Sequence, residues 1–305
     1  MRITKKLIAL ILMTCMLFSF VACNDDDQQN DDTDVSADGT VTGDVTYTVK
    51  LVTSHGLGIE GATVYVHKSD AEFDLIGMPA TTDENGEATF TLPASDTYSV
   101  QIVSLNKRYL LEDGSGPHGR YLFTDGKATV EVGYNPDYAP AYYTLGDKIE
   151  DFTVTDIDGE EHTLYGILGT KDMVMINLWY TGCGPCRAEF PAINTAYNGY
   201  KDKVEVLAID CDSKDTAASI RNFLVEYGLS LDFPLIHDLN SLSPASFASG
   251  YYPTTVIVDR YGVICMIEIG GVPSASVWSG AFAYFTSDNY SQKLFKGIED
   301  IPSVN

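Results

Sequence analysis

A short segment, WYTGCGPCRAEFP at residues 179–191, constrains the fold of this chain more than any other. It overlaps the end of the apolar run MVMINLWY, and a run without alternating polar residues is typical of a strand covered on both faces. The following RAEFPAINTAY has a helical pattern. Cys183 and Cys186 are therefore expected at a strand-to-helix turn, where the free N–H groups of the helix N-terminus favour a thiolate.

Two cysteines at this spacing can form a redox pair, half of a zinc site or a static disulfide. A zinc site needs a second pair of Cys or His ligands, whereas Cys211 and Cys265 are isolated and the histidines are scattered. A static disulfide needs no strand-to-helix turn. In a redox pair, a Cys183 thiolate attacks a disulfide and Cys186 resolves the mixed disulfide. The context favours the redox pair, and the other two interpretations stay open.

The first 22 residues, MRITKKLIALILMTCMLFSFVA, combine a basic head, an apolar core and small residues before Cys23. This order predicts an export signal, since the apolar run is short for a permanent membrane span. The ending resembles a bacterial lipobox, which implies that Cys23 is lipidated after cleavage. Ordinary secretion and an uncleaved anchor are the alternatives.

Residues 23–43 are rich in aspartate and contain no basic residue, so we expect a disordered tether. The aspartate run also resembles the surface-export signal of some bacterial lipoproteins. The whole chain has a net charge of −24, and a chain starting at Cys23 would lose three basic residues and carry −27. Because no basic patch offsets this charge, nucleic-acid binding is not expected.

Residues 44–133 show short alternating runs such as EATFTLP, separated by turn residues, among them Asp83 to Gly86. This pattern predicts a small antiparallel β-sandwich of immunoglobulin-like size. The run GIEGATVYV and its sequel ATTDENGEATFTLP resemble carboxypeptidase-regulatory-like and prealbumin-like sandwiches. His118 and Arg120 are expected to be loop residues, since one histidine lacks partners for a metal. Residues 134–142 contain two prolines and indicate a linker.

Residues 143–305 change to dense apolar runs, VEVLAID, TTVIVDR and ICMIEIG, with helix-like segments between them. That order predicts a compact α/β domain. In AASIRNFLVEYG the apolar residues recur at helical spacing, and Gly228 is the expected C-terminal stop. The predicted fold class is therefore multi-domain, with an all-β sandwich followed by an α/β domain.

From about Tyr143 to Val272 the sequence resembles the TlpA/ResA-like branch of the thioredoxin superfamily. The matching segments are LGDKIEDFTVTDIDGEEHTL, INLWYTGCGPCRAEFP and GYYPTTVIVDRYGVI. The resemblance implies a thioredoxin fold, with Cys183 as the nucleophile and Cys186 as the more buried, resolving thiol.

The same resemblance implies that Pro253 is a cis-proline facing the cysteines. It would expose the backbone of Tyr252 for strand-like pairing with a substrate peptide; an ordinary strand-leading proline is the alternative. Glu189 stands where this branch uses a glutamate in proton transfer, although a solvated helix glutamate would fit the spacing as well. The other residues expected to line the substrate site are Trp179, Gly182, Gly184, Pro185 and Thr254.

Two positions depart from the family pattern, and two further cysteines lie outside the motif. Gly182 replaces the usual Trp before the first cysteine and should open the docking surface. Asn177 stands where thioredoxins have a buried aspartate, which moves proton transfer towards Glu189. Cys211 and Cys265 should lie on opposite sides of the central strands, too far apart to pair, as unpaired core thiols.

The predicted function is an extracytoplasmic, membrane-tethered thiol-disulfide oxidoreductase of the cell envelope, with the outer membrane favoured. The Gly-Pro dipeptide matches thioredoxins, whose potentials are about −270 mV, so we expect a reductant. Resemblance implies exported thiol proteins as substrates, with apocytochromes c among the candidates, and an unidentified membrane electron donor; no cofactor or metal is expected. The alternatives are a lipoprotein that binds a partner through the sandwich and a thiol peroxidase. For a peroxidase, Ile176 and Tyr180 occupy the positions where Pro and Thr or Ser are needed, and Thr181 is one residue too close.

Overall fold

A computed structural model describes residues 34–35, 41–68, 75–94, 96–111, 119–238 and 242–302. The expected signal peptide, Cys23, most of the tether and His118 lie outside these residues. Two short strands fall within the expected tether, β1 at Asp34–Val35 and β2 at Val41–Thr42, and they pair antiparallel. Their backbone groups bond to each other, and the disordered tether stays a prediction.

The N-terminal part continues with eight strands: β3 Asp44–Thr53, β4 Thr63–Lys68, β5 Leu75–Thr81, β6 Glu87–Pro93, β7 Tyr98–Ser104, β8 Tyr109–Leu111, β9 Arg120–Leu122 and β10 Lys127–Tyr134. They form two four-stranded sheets, ordered β6-β3-β10-β8 and β5-β4-β7-β9. Alternate residues of each sheet are buried in one shared core, for example Leu51 and Val130 from the first sheet and Val64 and Ile102 from the second.

Strands β3 and β10 pair in parallel, and the other pairings within the two sheets are antiparallel. The prediction of a purely antiparallel arrangement is wrong at this point. Alternation of apolar residues determines which face of a strand is buried, but it carries no information on the direction of its neighbour.

The turn at Asp83 to Gly86 precedes β6 as predicted. The Asp83 carboxylate accepts the backbone N–H groups of Asn85 and Glu87 at 2.9 and 2.8 Å. Gly86 has a φ of 76°, and a Cβ there would lie 2.1 Å from the Leu51 carbonyl oxygen. Only glycine can therefore occupy this position without moving the neighbouring strand.

The C-terminal part contains the strands β11 Thr153–Thr155, β12 Glu161–Thr163, β13 Met173–Trp179, β14 Val204–Asp210, β15 Leu235–His237, β16 Thr254–Asp259 and β17 Ile264–Ile269. Its helices are α1 Leu164–Leu168, α2 Gly184–Tyr200, α3 Ala217–Tyr227 and α4 Ala275–Phe285, with 3-10 turns at Pro244–Phe247 and Ile298–Asp300. Helix α3 ends at Tyr227, and the next residue, Gly228, has a φ of 61°, which confirms the predicted stop.

Five strands form the central sheet in the order β15-β14-β13-β16-β17. Strands β13, β14 and β15 are parallel, while β16 and β17 run antiparallel to their neighbours. Helices α2, α3 and α4 contribute to the core on one face, and α1 contributes to the core on the other. Every residue of β13 is buried, which confirms that this strand is covered on both sides. This arrangement is a thioredoxin fold.

The two parts meet through a buried ion pair. Arg108 donates to the Leu145 carbonyl at 2.7 Å and lies 3.2 Å from the Asp147 carboxylate, which is 1% exposed. A second contact joins Thr53 to Gln292 at 3.1 Å. None of the helices in the described part of the chain is long and apolar enough to cross a membrane.

Candidate active site

Cys183 and Cys186 are joined by a disulfide at the start of α2. Cys183 is the N-cap of this helix, and its Sγ accepts the backbone N–H of Cys186 at 3.1 Å. Pro185 lies in the first turn, where a missing N–H costs no helical hydrogen bond. The predicted strand, turn and helix are therefore present, and they put both sulfur atoms at one end of α2.

The electrostatic setting of Cys183 favours negative charge on its sulfur. Helix α2 has 17 residues, and its first turn contains no acidic side chain that would offset the positive end of the helix dipole. Cys183 is 4% exposed and Cys186 is 0% exposed. When the disulfide is reduced, Cys183 is thus the more accessible sulfur, and its thiolate is stabilised by the helix N-terminus.

Glu189 is fully buried one turn after Cys186. Its carboxylate accepts from Asn177 Nδ2 at 2.9 Å and from the backbone N–H of Val272 at 3.0 Å. Burial raises the pKa of Glu189 to about 7, although these two hydrogen bonds oppose the change. The solvated alternative is therefore wrong, and Glu189 can gain or lose a proton near neutral pH.

The Tyr252–Pro253 peptide bond is cis, as the family resemblance implied. Pro253 is buried and its carbonyl accepts the N–H of Gly270 at 2.9 Å. The next residue, Gly271, packs so closely on Pro185 that a Cβ would lie 2.9 Å from the Pro185 carbonyl oxygen. Through these contacts, Pro253 and the Gly270–Gly271 segment lie next to the first turn of α2.

Two side chains expected to bind substrate are turned into the core. Trp179 is 0% exposed and packs on Phe190 and Phe223, with ring centroids 4.8 and 5.3 Å away. Thr254 is 0% exposed, and its hydroxyl donates to the Tyr251 carbonyl at 2.8 Å. The prediction that these side chains contact substrate is wrong, because they lie in strands that helices cover.

The other predicted lining residues are accessible. Gly182, Gly184 and Pro185 are exposed, and Tyr252 is half-buried. The Tyr252 ring packs edge to face on Tyr180 at 5.1 Å. A Cβ on Gly182 would lie 2.9 Å from the Tyr180 ring, so this aromatic ring fills the space beside the redox pair.

Two acidic groups beside the cysteine loop were not predicted from the sequence. The Asp215 carboxylate accepts both the backbone N–H and the hydroxyl of Thr181. Asp210, at the end of β14, is fully buried, and burial together with the nearby Asp215 raises its pKa to about 8. The signal was the run DCDSKD, which begins at the last residue of the buried strand β14, because parallel strands β13 and β14 end at the same edge of the sheet.

Cys211 and Cys265 are both free thiols, and two strands separate β14 from β17 in the sheet. The prediction that they do not pair is confirmed. Cys265 is buried, but Cys211 is only half-buried, so it is not a core residue. Burial raises the pKa of Cys211 to about 12, which keeps this thiol protonated.

Comparison with known proteins identifies relatives of the C-terminal part. The AhpC/TSA family matches residues 145–267. The thiol-disulfide oxidoreductase ResA of Bacillus thuringiensis is 35% identical over 127 residues, which cover 41% of this chain and 70% of the relative. The thioredoxin-like protein YneN of Bacillus subtilis is 35% identical over 126 residues, 41% of this chain and 71% of the relative.

Among solved structures, the thioredoxin domain of a thiol-disulfide oxidoreductase from Bacteroides vulgatus is similar, with 18% identity and a TM-score of 0.39. The match covers 47% of this chain and 98% of that domain.

Proposed function

Because the chain belongs to the ResA-like thiol-disulfide oxidoreductases of the AhpC/TSA family, we propose that Cys183 and Cys186 reduce disulfides of exported proteins. The observation that carries this proposal is the disulfide at the N-cap of α2, with the buried Glu189 carboxyl one turn behind it. Together they supply a nucleophile, a resolving thiol and a proton acceptor.

In the first step, the Cys183 thiolate attacks one sulfur of a substrate disulfide. A bond forms between that sulfur and Cys183 Sγ, and the other substrate sulfur leaves as a thiolate with the electron pair of the broken bond. The N-terminus of α2 stabilises the attacking thiolate, because free backbone N–H groups point towards the Cys183 sulfur. The hydrogen bond from the Cys186 N–H to Cys183 Sγ is part of this stabilisation.

In the second step, Cys186 gives its proton to the Glu189 carboxylate and attacks Cys183 Sγ. The disulfide of the protein forms, and the remaining substrate sulfur leaves as a thiolate. Substrate is reduced by two electrons and the cysteine pair is oxidised by two. A thiol reductant, supplied by an electron donor in the membrane, returns the pair to the dithiol state.

Substrate peptides bind across the exposed residues Gly182, Gly184 and Pro185 in this proposal. The backbone at Tyr252, next to the cis-proline Pro253, pairs with them as an added strand, and the Tyr252 side chain provides an aromatic surface. Such recognition uses backbone groups more than particular side chains, so several exported proteins can serve, apocytochromes c among them.

The first 43 residues support a proposal for how the protein is attached to a membrane. Residues 1–22 act as the signal, Cys23 carries the lipid and residues 24–43 hold the folded part away from the membrane of the cell envelope, with the outer membrane favoured. Residues 44–133 are an immunoglobulin-like or prealbumin-like sandwich, residues 134–142 link it to the redox domain, and residues 143–305 form that domain.

Trapping of the mixed disulfide tests this mechanism. A chain with Cys186→Ser should accumulate a mixed disulfide at Cys183 with a disulfide-bonded peptide, seen by mass spectrometry, because no resolving thiol remains. Cys183→Ser should trap none. Cys211→Ser is the matched control and should turn over like the parent, since that thiol is half-buried and protonated. Equal turnover by the parent and the Cys183→Ser chain would contradict the mechanism.

Two other functions give different results in the same series. If the protein acts as a partner-binding lipoprotein through the sandwich, the double Cys183→Ser, Cys186→Ser chain should keep its cellular function. If it is a thiol peroxidase, hydrogen peroxide should oxidise the reduced pair faster than peptide disulfides do. The hydroxyl of Thr181, the residue nearest to a peroxidase pattern, is already bonded to Asp215, which favours the oxidoreductase.

A further inference from the structure

A row of polar residues crosses the central sheet beneath α2 and α4. Asn177 of β13 is directly opposite Thr255 of β16, and Thr255 is directly opposite Glu268 of β17. Side chains of directly opposite residues lie on the same face of a sheet. The three side chains therefore run from the centre of the sheet to its edge strand.

The row is polar, although the neighbouring row on the same face of the sheet is apolar. The neighbouring row, two residues along each strand, consists of Met175, Ile257 and Met266, which are all 0% exposed and belong to the apolar core. Buried polar groups cost free energy unless they are hydrogen-bonded, so a polar row among apolar ones needs a reason.

The inner end of the row holds Glu189. The Asn177 amide donates to Glu189 at 2.9 Å and to the Thr255 hydroxyl at 2.8 Å. Asn177, Thr255 and Glu189 are all 0% exposed. Glu268 is half-buried at the outer end, and its carboxylate accepts the N–H of Ile298 at 2.9 Å.

The groups that face Glu189 are few. Asn177 and Thr255 from the strands are neutral, and the connection from β17 to α4 offers the backbone N–H of Val272. Among the described residues, Glu268 is the charged group that acts on Glu189, and its negative charge raises the pKa of Glu189. Glu268 in turn faces Glu299 of the last 3-10 turn.

We propose that Glu268 is a positioning residue for thiol-disulfide exchange, whose charge at the sheet edge sets the pH at which Glu189 accepts the Cys186 proton. A negative charge at Glu268 opposes a second negative charge at Glu189, because the buried side chains of Asn177 and Thr255 lie in the row that joins them. Ile298 holds the Glu268 carboxylate in place. The inference rests on the proposed function, since it assigns Glu268 a part in the resolving step.

The test follows the resolving step of the full chain with dithiodipyridine, a neutral disulfide that releases a coloured thione twice per reaction. The first release reports attack by Cys183, and the second reports resolution by Cys186. The rate of the second release is measured from pH 5 to pH 9. Its rise with pH should have a midpoint set by Glu189, which must be ionised to take the proton.

In the Glu268→Gln chain this midpoint should fall by roughly half a pH unit or more, because Gln keeps the hydrogen bond from Ile298 but carries no charge. Glu268→Asp keeps the charge and should keep a midpoint close to that of the parent. Glu299→Gln is the matched control: it removes the same charge from the same edge, outside the polar row, and should move the midpoint much less. If Glu268→Gln does not fold, Glu268→Thr is used in its place. Thr also carries no charge, and it is a residue that edge strands accept.

An unchanged midpoint in folded Glu268→Gln, or an equal change in Glu299→Gln, would overturn the role of Glu268 while leaving the proposed function intact. If the parent chain gives no second release at any pH, the proposed function fails and the inference fails with it. If the parent gives both releases and the midpoint falls in Glu268→Gln but not in Glu299→Gln, the proposed function and the role of Glu268 are both supported.

Discussion

Thr181 donates its backbone N–H and its hydroxyl to the Asp215 carboxylate, at 3.0 and 2.7 Å. Burial alone would raise the pKa of Asp215, but these hydrogen bonds lower it, so the carboxylate is ionised at neutral pH. Since Thr181 is two residues before Cys183, this contact fixes the chain that leads into the redox turn.

Replacing Asp215 by Ala should loosen that turn. The loss of hydrogen bonds to a charged, largely buried acceptor should lower the free energy of unfolding by about 2 kcal/mol. Urea unfolding of the oxidised chain measures this change. Asp212→Ala is the control, because its carboxylate caps only the N–H of Lys214 in the same loop. Equal losses in the two variants would show that the contact with Thr181 contributes nothing of its own.

The stability contributed by Glu189 should depend on pH. Its pKa is about 7 in the folded protein and its ordinary value is 4.5. Because the folded state holds the proton more tightly, the parent chain should lose stability as pH rises from 4.5 through 7. The side chain of the Glu189→Gln variant cannot ionise, so this chain should not lose stability over the same pH range.

Unfolding of oxidised parent and Glu189→Gln chains at pH 5 and pH 8 measures this effect. The stability of the variant relative to the parent should rise by up to about 3 kcal/mol between the two pH values. Glu226→Gln, on the exposed face of α3, should show no such change. A difference between variant and parent that is independent of pH would mean that Glu189 ionises normally.

The ion pair between the two parts of the chain should contribute to stability. In Arg108→Ala the Asp147 carboxylate would stay buried without its partner, and we expect a loss of about 3 kcal/mol. Lys50→Ala breaks an exposed pair with Glu87 and should cost at most about 1 kcal/mol. Urea unfolding compares the two. Equal small losses would mean that Asp147 becomes solvated when Arg108 is removed.

The substrate surface is tested at Tyr252. Tyr252→Ala should raise KM for a disulfide-bonded peptide several-fold with little change in kcat, since the ring is half-buried beside the redox pair and serves binding. Tyr142→Ala removes an exposed ring from the linker and should leave both constants unchanged. A drop in kcat alone at Tyr252 would indicate a role in the chemistry and not in binding.

Much of the redox domain could be predicted from local pattern. The strand before Cys183 is a continuous apolar run, the helix after it has a helical period, and Gly228 is a common stop residue, so each element follows from neighbours in sequence. Glu189 was found through the resemblance to the TlpA/ResA-like branch, and its position one helical turn after Cys186 is compatible with that role.

Other features depend on contacts between distant residues. Asp215 binds Thr181 across 34 positions of sequence, and Glu268 reaches the site only through the register of three strands. Trp179 was expected to line the site, but Phe190 and Phe223 close over it. The parallel pairing of β3 and β10 likewise depends on the order of strands, which a pattern of apolar residues does not encode.

The redox potential of the Cys183/Cys186 pair tests the central claim most directly. Equilibrating the chain in thiol buffers and counting free cysteines after alkylation by mass spectrometry gives this value. We expect a reversible two-electron couple near or below about −270 mV, in the range of thioredoxins. A potential close to about −120 mV, as in strongly oxidising relatives of thioredoxin, would contradict a reductase. A pair that does not cycle would contradict the oxidoreductase mechanism itself.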